Sequence, residues 1–328
     1  MKQRIFGRTG RSVSEVGLGA WAIGGTWGEV SHEDAKSALH AALDAGISFI
    51  DTADVYGDGR SEKIIAEVLN ERGGERPFVA TKAGRRLSPH VAEGYNAENL
   101  TAFVDRSLEN LQTDTLDLLQ LHCPPTEVYY QPEVFAALDE MQAAGKIRAY
   151  GVSVEKIEEA LKAMEFPNVT SVQIIYNLFR QRPAELFFQE ARRRNVAVIA
   201  RVPLASGLLT GKMSASTAFS ADDHRAFNRN GEAFDKGETF SGVPYDVALD
   251  AVEDVRQYVS GDATMAAFAL RWILMADAIS VVIPGAKNRE QAQANARASD
   301  LPALSEETMA AIKAIYQQKI APWVHQRW

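Results

Sequence analysis

The chain has 328 residues, 46% of them hydrophobic and 24% charged, and its formal net charge is −8. This composition is typical of a globular protein, and an acidic balance without a long basic run argues against nucleic acid or an anionic membrane as a main partner. A single cysteine, Cys123, excludes an internal disulfide, and residues 1–7 lack the apolar region of a signal peptide. We therefore expect a cytoplasmic protein with no membrane span, since Arg271 and Asp277 interrupt the longest apolar stretch.

Apolar, β-branched runs alternate with amphipathic helical patterns along the chain. The runs predict eight strands, at residues 16–21, 47–50, 77–81, 116–121, 147–153, 171–176, 196–202 and 279–283. Six of them recur about every 25 to 40 residues, which is the period of a β-loop-α unit. No G-x-G-x-x-G motif lies between a strand and a helix. The pattern therefore predicts class α/β, a (β/α)8 TIM barrel rather than a doubly wound sheet, as a single domain over residues 1–328.

Two segments depart from this regular spacing. Before the first strand, residues 4–6 and 13–16 flank the turn Gly7-Arg8-Thr9-Gly10, which predicts an N-terminal β-hairpin that plugs the bottom of the barrel. After the seventh strand comes a polar, Gly-rich segment near 214–242, followed by helical patterns at 245–259 and 264–275. A long loop at this place lies on the catalytic face of a barrel, so we interpret it as a lid or specificity loop. A disordered surface insertion is the alternative.

Four polar residues fall at the ends of neighbouring strands. Asp51 follows the second strand, Tyr56 lies in the same loop, and Lys82 and His122 follow the third and fourth strands. Because the strands of a barrel end at one mouth, we expect these side chains to converge. A lysine ammonium stabilises a tyrosine phenolate, an aspartate keeps the lysine charged, and a histidine can hydrogen-bond a substrate oxygen. Such a site suits protonation of an oxygen while a hydride arrives from elsewhere.

Each of these residues also has an ordinary structural explanation. A strand-end aspartate is often a helix cap, and His122 could be a satisfied core histidine beside a buried Cys123. Four residue types that one mechanism requires, in the required strand order, favour the functional interpretation. No metal site is predicted, because only His122 of six histidines follows a strand and no H-x-H motif is present.

With these residues in place, the sequence resembles the aldo-keto reductase superfamily over nearly the whole chain. The motifs that carry the resemblance are Val16-Gly17-Leu18-Gly19, Asp51-Thr52-Ala53-Asp54-Val55-Tyr56-Gly57, Thr81-Lys82, Leu119-Gln120-Leu121-His122, Gly151-Val152-Ser153, Val172-Gln173 with Tyr176-Asn177, Pro203-Leu204 with Ser206-Gly207-Leu208-Leu209-Thr210-Gly211-Lys212, and Val282-Ile283-Pro284-Gly285-Ala286. Each motif is weakly specific alone, whereas eight in the same order are very specific.

The resemblance implies a barrel that binds NADP(H) extended across its mouth, with Asp51, Tyr56, Lys82 and His122 as a catalytic tetrad. Tyr56 is then the general acid in carbonyl reduction and the general base in alcohol oxidation. The implied contacts to a small carbonyl or alcohol substrate come from Trp21, Tyr56 and His122. The implied cofactor contacts are Ala20, Trp21, Ser153, Gln173, Arg201, Pro203, Leu204, Ser206, Gly207, Lys212, Gly285, Lys287, Gln291 and Asn295.

By the same likeness, Ser153 and Gln173 hold the nicotinamide carboxamide, and residues 204–212 lie along the pyrophosphate. The chemistry of the adenosine end supports NADP(H) over NAD(H) independently. Lys287 and Arg289 stand at the opening of a predicted helix after the eighth strand, where helix N–H groups and two cations can receive a 2′-phosphate.

The sequence departs from the usual pattern of the family in three places. Val154 follows Ser153 where many members have asparagine, which removes or replaces one carboxamide contact. Arg201 stands where an aromatic residue commonly stacks on the nicotinamide, and it adds charge beside a ring whose own charge changes in the reaction. His122 is followed by Cys123-Pro124-Pro125 rather than by tryptophan, which alters the rim of the pocket.

Other interpretations remain open at this point. Some relatives of the family bind NADP(H) as accessory subunits of membrane channels, and a hydrolase or isomerase could use His122 without nicotinamide. Trp21 and Trp27 are candidates for an apolar wall of the substrate pocket, against simple core packing. The aromatic tail 322–328 either folds over the mouth or anchors the last helix, and anchoring is the preferred interpretation.

Overall fold

The computed structural model describes residues 1–25, 30–259 and 261–328. Ten strands are present in these ranges: β1 (Gln3–Ile5), β2 (Ser12–Ser14), β3 (Leu18–Gly19), β4 (Phe49–Asp51), β5 (Phe78–Ala83), β6 (Leu118–His122), β7 (Tyr150–Ser153), β8 (Val169–Ile175), β9 (Ala197–Arg201) and β10 (Ile279–Val282). The first two pair antiparallel, and β3 to β10 form one parallel sheet in which each strand lies beside the next in sequence. All eight predicted barrel strands are therefore confirmed.

Helices lie between and after the strands. They are α1 (Trp21–Gly24), α2 (His32–Asp44), α3 (Arg60–Arg72), α4 (Ala97–Leu111), α5 (Pro132–Ala143), α6 (Ile157–Ala163), α7 (Phe187–Arg193), α8 (His224–Phe227), α9 (Tyr245–Arg256), α10 (Met265–Leu274), α11 (Arg289–Ala296), α12 (Glu306–Ile315) and α13 (Ala321–Val324). Two helices begin with residues that favour a helix start, since the Ser31 hydroxyl accepts the Asp34 N–H at the start of α2, and Pro132 is the first residue of α5. In the described ranges, no helix is long and apolar enough to cross a membrane.

The sheet closes on itself between β3 and β10. Val16 bridges Val282, and the N–H of Gly17 donates to the carbonyl of Val282 at 2.8 Å. Gly19 bridges Gly285 in the same way, and a Cβ at Gly19 would lie only 2.8 Å from the carbonyl oxygen of residue 283. Glycine is therefore required for the two edges to meet, and the predicted (β/α)8 barrel is confirmed.

The N-terminal hairpin closes the bottom of the barrel, as predicted. Phe6 follows β1, is fully buried, and packs its ring 5.3 Å from that of Phe49 and 5.1 Å from that of Phe78. These rings belong to a compact apolar cluster inside the barrel, completed by Val13, Ala80, Leu118, Ala149, Ala197, Ile199, Val281 and Ile283. The hairpin thus supplies the bottom layer of the interior, where apolar side chains would otherwise meet water.

The segment between β9 and α9 is ordered over the mouth rather than a loose insertion. It contains a 3₁₀ segment, Ala205–Thr210, then α8, and two further 3₁₀ turns at Lys236–Glu238 and Phe240–Gly242. The chain end packs against it: the indole Nε1 of Trp328 donates to Asp235 at 2.9 Å, and Arg180 lies 4.2 Å over the Trp328 ring. The tail therefore supports this loop as well as the last helix. We call residues 202–244 the mouth loop.

Candidate active site

Lys82 connects the ends of β4 and β5 through its ammonium group. The Nζ donates to Asp51 Oδ1 at 2.5 Å, to the Thr52 carbonyl at 2.8 Å, and to the Tyr56 hydroxyl at 3.3 Å. Lys82 and Asp51 are almost fully buried, so their ion pair is shielded from water. The Tyr56 oxygen is thus held within hydrogen-bond reach of a buried ammonium.

Two glutamines fix the other oxygen of the aspartate. Gln120 and Gln173, on β6 and β8, donate to Asp51 Oδ2 at 3.1 Å and 2.7 Å. The Gln173 amide also lies 3.3 Å from Gln120 Oε1. Gln173, predicted to hold the nicotinamide carboxamide, is therefore joined to the aspartate network across the barrel interior, a contact that the sequence did not indicate.

His122 ends β6 and stands beside the tyrosine. The two rings meet edge to face, with centroids 5.9 Å apart, and His122 is 4% exposed. Its Nδ1 has no hydrogen-bond partner among the described residues. Burial lowers the pKa of His122 well below the ordinary value, and the charges of Arg85 and Lys82 add to this. The imidazole is therefore neutral at neutral pH, able to hydrogen-bond a ligand oxygen.

Burial acts in opposite directions on the pKa values of Tyr56 and Lys82. Burial raises the pKa of Tyr56, and the Lys82 charge offsets only part of that rise. Burial would lower the pKa of Lys82, but Asp51 and Tyr56 outweigh it, and the lysine pKa is raised. The resting site consequently holds a neutral phenol beside a charged ammonium, which stabilises a phenolate when the proton leaves.

Aromatic side chains pack next to the ring of Tyr56. Trp21, at the start of α1, stacks at 6.1 Å on Tyr56 and lies 4.9 Å from the ring of His224 in α8. Phe234 of the mouth loop meets Trp21 edge-on at 6.1 Å. The interpretation of Trp21 as a pocket wall agrees with this position, and Ala20, which precedes it, is buried with its N–H bonded to the Asp51 carbonyl. The other candidate, Trp27, lies outside the described residues.

We call the chain after β9, from Pro203 and Leu204 to Lys212, the track. Its 3₁₀ segment is bent, because the backbone takes left-handed conformations at Ser206 (φ 55°) and Gly207 (φ 97°). The Ser206 hydroxyl donates to the Glu238 carbonyl and accepts from a backbone N–H of the same loop, both at 3.0 Å, so it holds the mouth loop in place. Lys212, at the far end of the track, is exposed.

The predicted adenosine-end residues cluster at the start of α11. Gln291 Oε1 accepts the Lys287 N–H at 2.9 Å, and Asn295 donates to the Gly285 carbonyl at 3.0 Å. These two side chains shape the turn that presents Lys287. The pKa of Lys287 is lowered by partial burial and by the nearby charge of Arg225. Asp223, which pairs with Arg225, acts on the pKa of Lys287 in the opposite direction, so charges of both signs lie near its ammonium group.

Comparisons with known proteins show the family of the chain. A sequence profile of the Aldo/keto reductase family matches residues 15–317. The chain belongs to the aldo/keto reductase family. It is 33% identical over 301 residues to aldo-keto reductase YhdN of Bacillus subtilis, covering 90% of this chain and 87% of that protein.

Two solved structures share the fold of this aldo-keto reductase. The holo form of aldo-keto reductase AKR11C1 from Bacillus halodurans superposes with a TM-score of 0.77 at 26% identity, covering 96% of each chain. The glycerol dehydrogenase AKR11B4 from Gluconobacter oxydans gives 0.77 at 30% identity, covering 94% of this chain and 93% of that one. Aldo-keto reductase enzymes are oxidoreductases that use NAD(P)H, and the family membership supports an oxidoreductase function with a nicotinamide cofactor for this chain.

At the rim of the mouth, this aldo-keto reductase has four interlocked charges that the sequence did not indicate as a unit. The Arg201 guanidinium pairs with Glu155 at 2.9 Å and with Glu238 at 2.7 Å. Arg85 pairs with the same two carboxylates, each at 3.1 Å. We call Arg85, Glu155, Arg201 and Glu238 the rim quartet. It joins the loops after β5 and β7 to the end of β9 and to the mouth loop.

The rim quartet adjoins the predicted nicotinamide contacts. Arg201 donates to the Val154 carbonyl at 3.0 Å and lies 3.7 Å from the Cys123 sulfur, which is 3.4 Å from the Ser153 hydroxyl. The Nε of Arg201 is buried without a hydrogen-bond partner among the described residues. The three departures from the family pattern thus meet in one corner, where arginine contacts the backbone at Val154.

Arg225 is the other residue that sequence reasoning missed. Its guanidinium pairs with Asp223 at 2.5 Å, and its Nη1 lies 3.5 Å from the Ser206 carbonyl. It sits in α8, inside a mouth loop whose sequence has no helical or strand period. No local signal could therefore have brought it to Lys287.

Proposed function

We propose that this protein is an NADP(H)-dependent oxidoreductase that reduces small aldehydes or ketones to alcohols, or catalyses the reverse reaction. The observation that carries the proposal is the contact of Lys82 with both Asp51 and Tyr56 at the mouth of the barrel. When bound, NADP(H) supplies or accepts the hydride. The chain itself has to bind the substrate, orient its oxygen and move one proton.

Tyr56 is the proposed general acid and base. In reduction its phenol, which keeps its proton because burial raises its pKa, donates that proton to the nascent alkoxide oxygen. The phenolate left behind is stabilised by the Lys82 ammonium at 3.3 Å, and Asp51 holds the ammonium in position. In alcohol oxidation, the same phenolate accepts the hydroxyl proton.

His122 is the proposed orienting group for the substrate oxygen. A neutral imidazole can donate a hydrogen bond to a carbonyl oxygen without bringing a full charge that would compete with Lys82. Its edge-to-face contact with Tyr56 places both polar groups on one side of the mouth. Trp21 is the proposed apolar wall on the opposite side of the tyrosine ring, together with Phe234.

The described residues fit a nicotinamide dinucleotide. Ser153 and the unpartnered Nε of Arg201 lie at the rim next to the tetrad, where they are the proposed contacts of the nicotinamide end. From there the bent track through Ser206 and Gly207 is the proposed pyrophosphate path. Gly285, Gln291 and Asn295 shape the turn proposed for the adenosine end.

A preference for NADP(H) is supported by charge. Arg225 lies near enough to Lys287 to lower its pKa, so a 2′-phosphate bound at Lys287 would meet a second cation, which also pairs with Asp223. Asn288 caps α11 at this point by accepting the Gln291 N–H at 3.0 Å, so the positive end of the helix faces the same region. The accessory-subunit alternative is weaker, because a purely binding role does not require the buried lysine between aspartate and tyrosine.

The testing experiment is a fluorescence titration of the purified protein with NADPH and NADH, followed by single-turnover mixing with a panel of aldehydes and ketones. We expect tighter binding of NADPH and its oxidation on mixing with at least one small aldehyde. Binding without any turnover would favour the accessory role, and absence of binding by either dinucleotide would contradict the proposal.

A further inference from the structure

The rim quartet is a cluster of ion pairs that is largely shielded from solvent. Arg201 and Glu238 are nearly fully buried, and each of the two arginines contacts each of the two carboxylates. Burial, with the nearby charge of Glu238, raises the pKa of Glu155, so Glu238 is the carboxylate of the quartet that stays fully ionised at neutral pH. Behind them, Asp235 and Arg180 form the next layer around the ring of Trp328.

Other contacts also hold the mouth loop. Asn177, which follows β8, donates to the Ser241 hydroxyl at 2.8 Å, and the indole of Trp328 at the chain end donates to Asp235. Buried ion pairs are a costly way to gain stability, because desolvation cancels much of their attraction. Because the quartet adjoins the predicted nicotinamide contacts, its charges point to an electrostatic role.

The quartet lies within electrostatic reach of the tetrad. Arg85 and Arg201 both lower the pKa of His122, after the larger effect of burial. Glu238 contributes to the raised pKa of Tyr56, again after burial. Positive and negative charges of the quartet therefore act on the pKa values of His122 and Tyr56, the two residues proposed to contact the substrate oxygen.

The nicotinamide ring changes its charge during the reaction, from positive when oxidised to neutral when reduced. An isolated Arg201 beside it would repel only the oxidised form. Glu238 remains ionised to neutralise that arginine: burial alone would raise the pKa of Glu238, but Arg201 and Arg85 lower it to about 2.

Resting on the function proposed above, we propose that the rim quartet sets the relative affinity of the enzyme for oxidised and reduced nicotinamide, with Glu238 and Arg85 as opposing positioning charges. Loss of a carboxylate disfavours the oxidised ring, and loss of a guanidinium favours it. The opposing charges of Glu238 and Arg85 keep both forms bound with comparable strength, so the barrel can operate in either direction.

The test uses two variants that break the same ion pair from opposite ends. Glu238→Gln and Arg85→Gln each abolish the 3.1 Å contact between these residues. We expect Glu238→Gln to raise the ratio of the Kd for NADP⁺ to the Kd for NADPH by roughly three- to tenfold, and Arg85→Gln to lower it by a similar factor. A tenfold change corresponds to about 30 mV in the potential of the bound couple.

The double variant separates charge from structure. Glu238→Gln with Arg85→Gln removes one charge of each sign and so keeps the net charge of the quartet, and we expect the ratio to return towards that of the wild type although the contact is lost. Glu158→Gln is the matched control: it removes one carboxylate from a surface pair with Arg182 at 2.6 Å and should leave the ratio unchanged.

Calorimetric titration of the four proteins and the wild type with NADP⁺ and with NADPH gives the ratios directly, without turnover. If the single variants change both dissociation constants in parallel, the quartet acts only as a clasp and the inference is overturned. If the wild type binds neither NADP(H) nor NAD(H), the proposed function fails first. Binding of both forms with an unchanged ratio in the variants overturns the inference alone.

Discussion

The two ends of the barrel interior are built from opposite kinds of side chain. At the bottom, Phe6 packs its ring against Phe49 and Phe78 in an apolar cluster. At the mouth, Asp51 and Lys82 form a buried ion pair. Yet Phe49 and Asp51 are only two residues apart on β4, which is about 7 Å along a strand.

This short separation shows how one strand serves two purposes. Side chains two residues apart on a strand face the same side, so β4 directs both Phe49 and Asp51 into the barrel. The lower side chain contributes apolar burial, and the upper one contributes a charge that needs partners from β5, β6 and β8. Stability should therefore depend mainly on the bottom and chemistry mainly on the mouth, and four variants test that division.

The largest effect is expected at the mouth. Tyr56→Phe removes the proposed proton donor, so we expect kcat for aldehyde reduction to fall by about 10² to 10⁴-fold. The Kd for NADPH and the free energy of unfolding should change little, because the ring and its stacking on Trp21 remain. Steady-state kinetics measure the change in kcat, with Tyr130→Phe, the same substitution at an exposed tyrosine, as the control. Reduction at the parental rate would remove Tyr56 from the mechanism.

At the bottom the expected loss is in stability. Phe6→Ala leaves a cavity against Phe49 and Phe78, and we expect it to lower the free energy of unfolding by about 3 to 5 kcal/mol. The kcat of the folded fraction should stay near that of the wild type. Urea denaturation measures the change, with Ile5→Ala, an exposed neighbour, as control. A large fall in kcat without a loss of stability would break the proposed division.

Asp54, on the mouth side of the barrel, is expected to lower the free energy of unfolding when its carboxyl group is ionised. Both carboxyl oxygens are buried with no hydrogen-bond partner among the described residues, and burial, with the charge of Glu62, raises the pKa of Asp54 to about 7. The folded state then holds the proton more tightly than the unfolded state, so stability falls as pH rises from about 4 to 7. We expect Asp54→Asn to raise the free energy of unfolding by about 2 to 4 kcal/mol at pH 8.

Urea denaturation of the wild type and of Asp54→Asn at pH 8 and at pH 4.5 tests whether ionisation of Asp54 causes this change in the free energy of unfolding. The gain should shrink at the lower pH, where the wild-type carboxyl is already protonated. Asp58→Asn, an exposed carboxylate in the same loop that pairs with Arg86 and Arg106, should show no such gain. A gain that is equal at both pH values would rule out the ionisation as its cause.

The smallest effect is expected at the proposed adenosine end of the cofactor site. Lys287→Ala should weaken NADPH binding by about 1 to 3 kcal/mol and leave NADH binding nearly unchanged, because only NADPH carries the 2′-phosphate. Fluorescence titration of both dinucleotides measures it, with the surface variant Lys162→Ala as control. Equal weakening of both would remove the phosphate contact from Lys287.

Elements with a local period were predictable from the sequence. The barrel strands and helices such as α9 and α10 could be predicted from apolar alternation and helical period. The tetrad could be predicted because Asp51, Lys82 and His122 all stand at strand ends, where the topology alone brings side chains together. The hairpin was predictable from its turn, although the exact partner rings of Phe6 were not.

Contacts made by residues in irregular segments could not be predicted from the sequence. Glu238 and Arg225 reach the mouth on a loop with no sequence period, so nothing local specifies their partners. The bond of Gln173 to Asp51 depends on side-chain direction across the barrel, which strand pattern does not give. The assignment of one domain over residues 1–328 and the cytoplasmic location stay predictions.

The single cysteine offers an experimental opportunity. Cys123 is buried, and burial together with the charge of Glu155 raises its pKa to about 12, so its thiol is protonated and shielded from alkylating reagents. A new cysteine at an exposed position, such as Ser216→Cys in the mouth loop, would then be the one site that reacts with a maleimide dye. The wild-type sequence is in effect already prepared for site-selective labelling, and a dye there would report the movement of the mouth loop in real time.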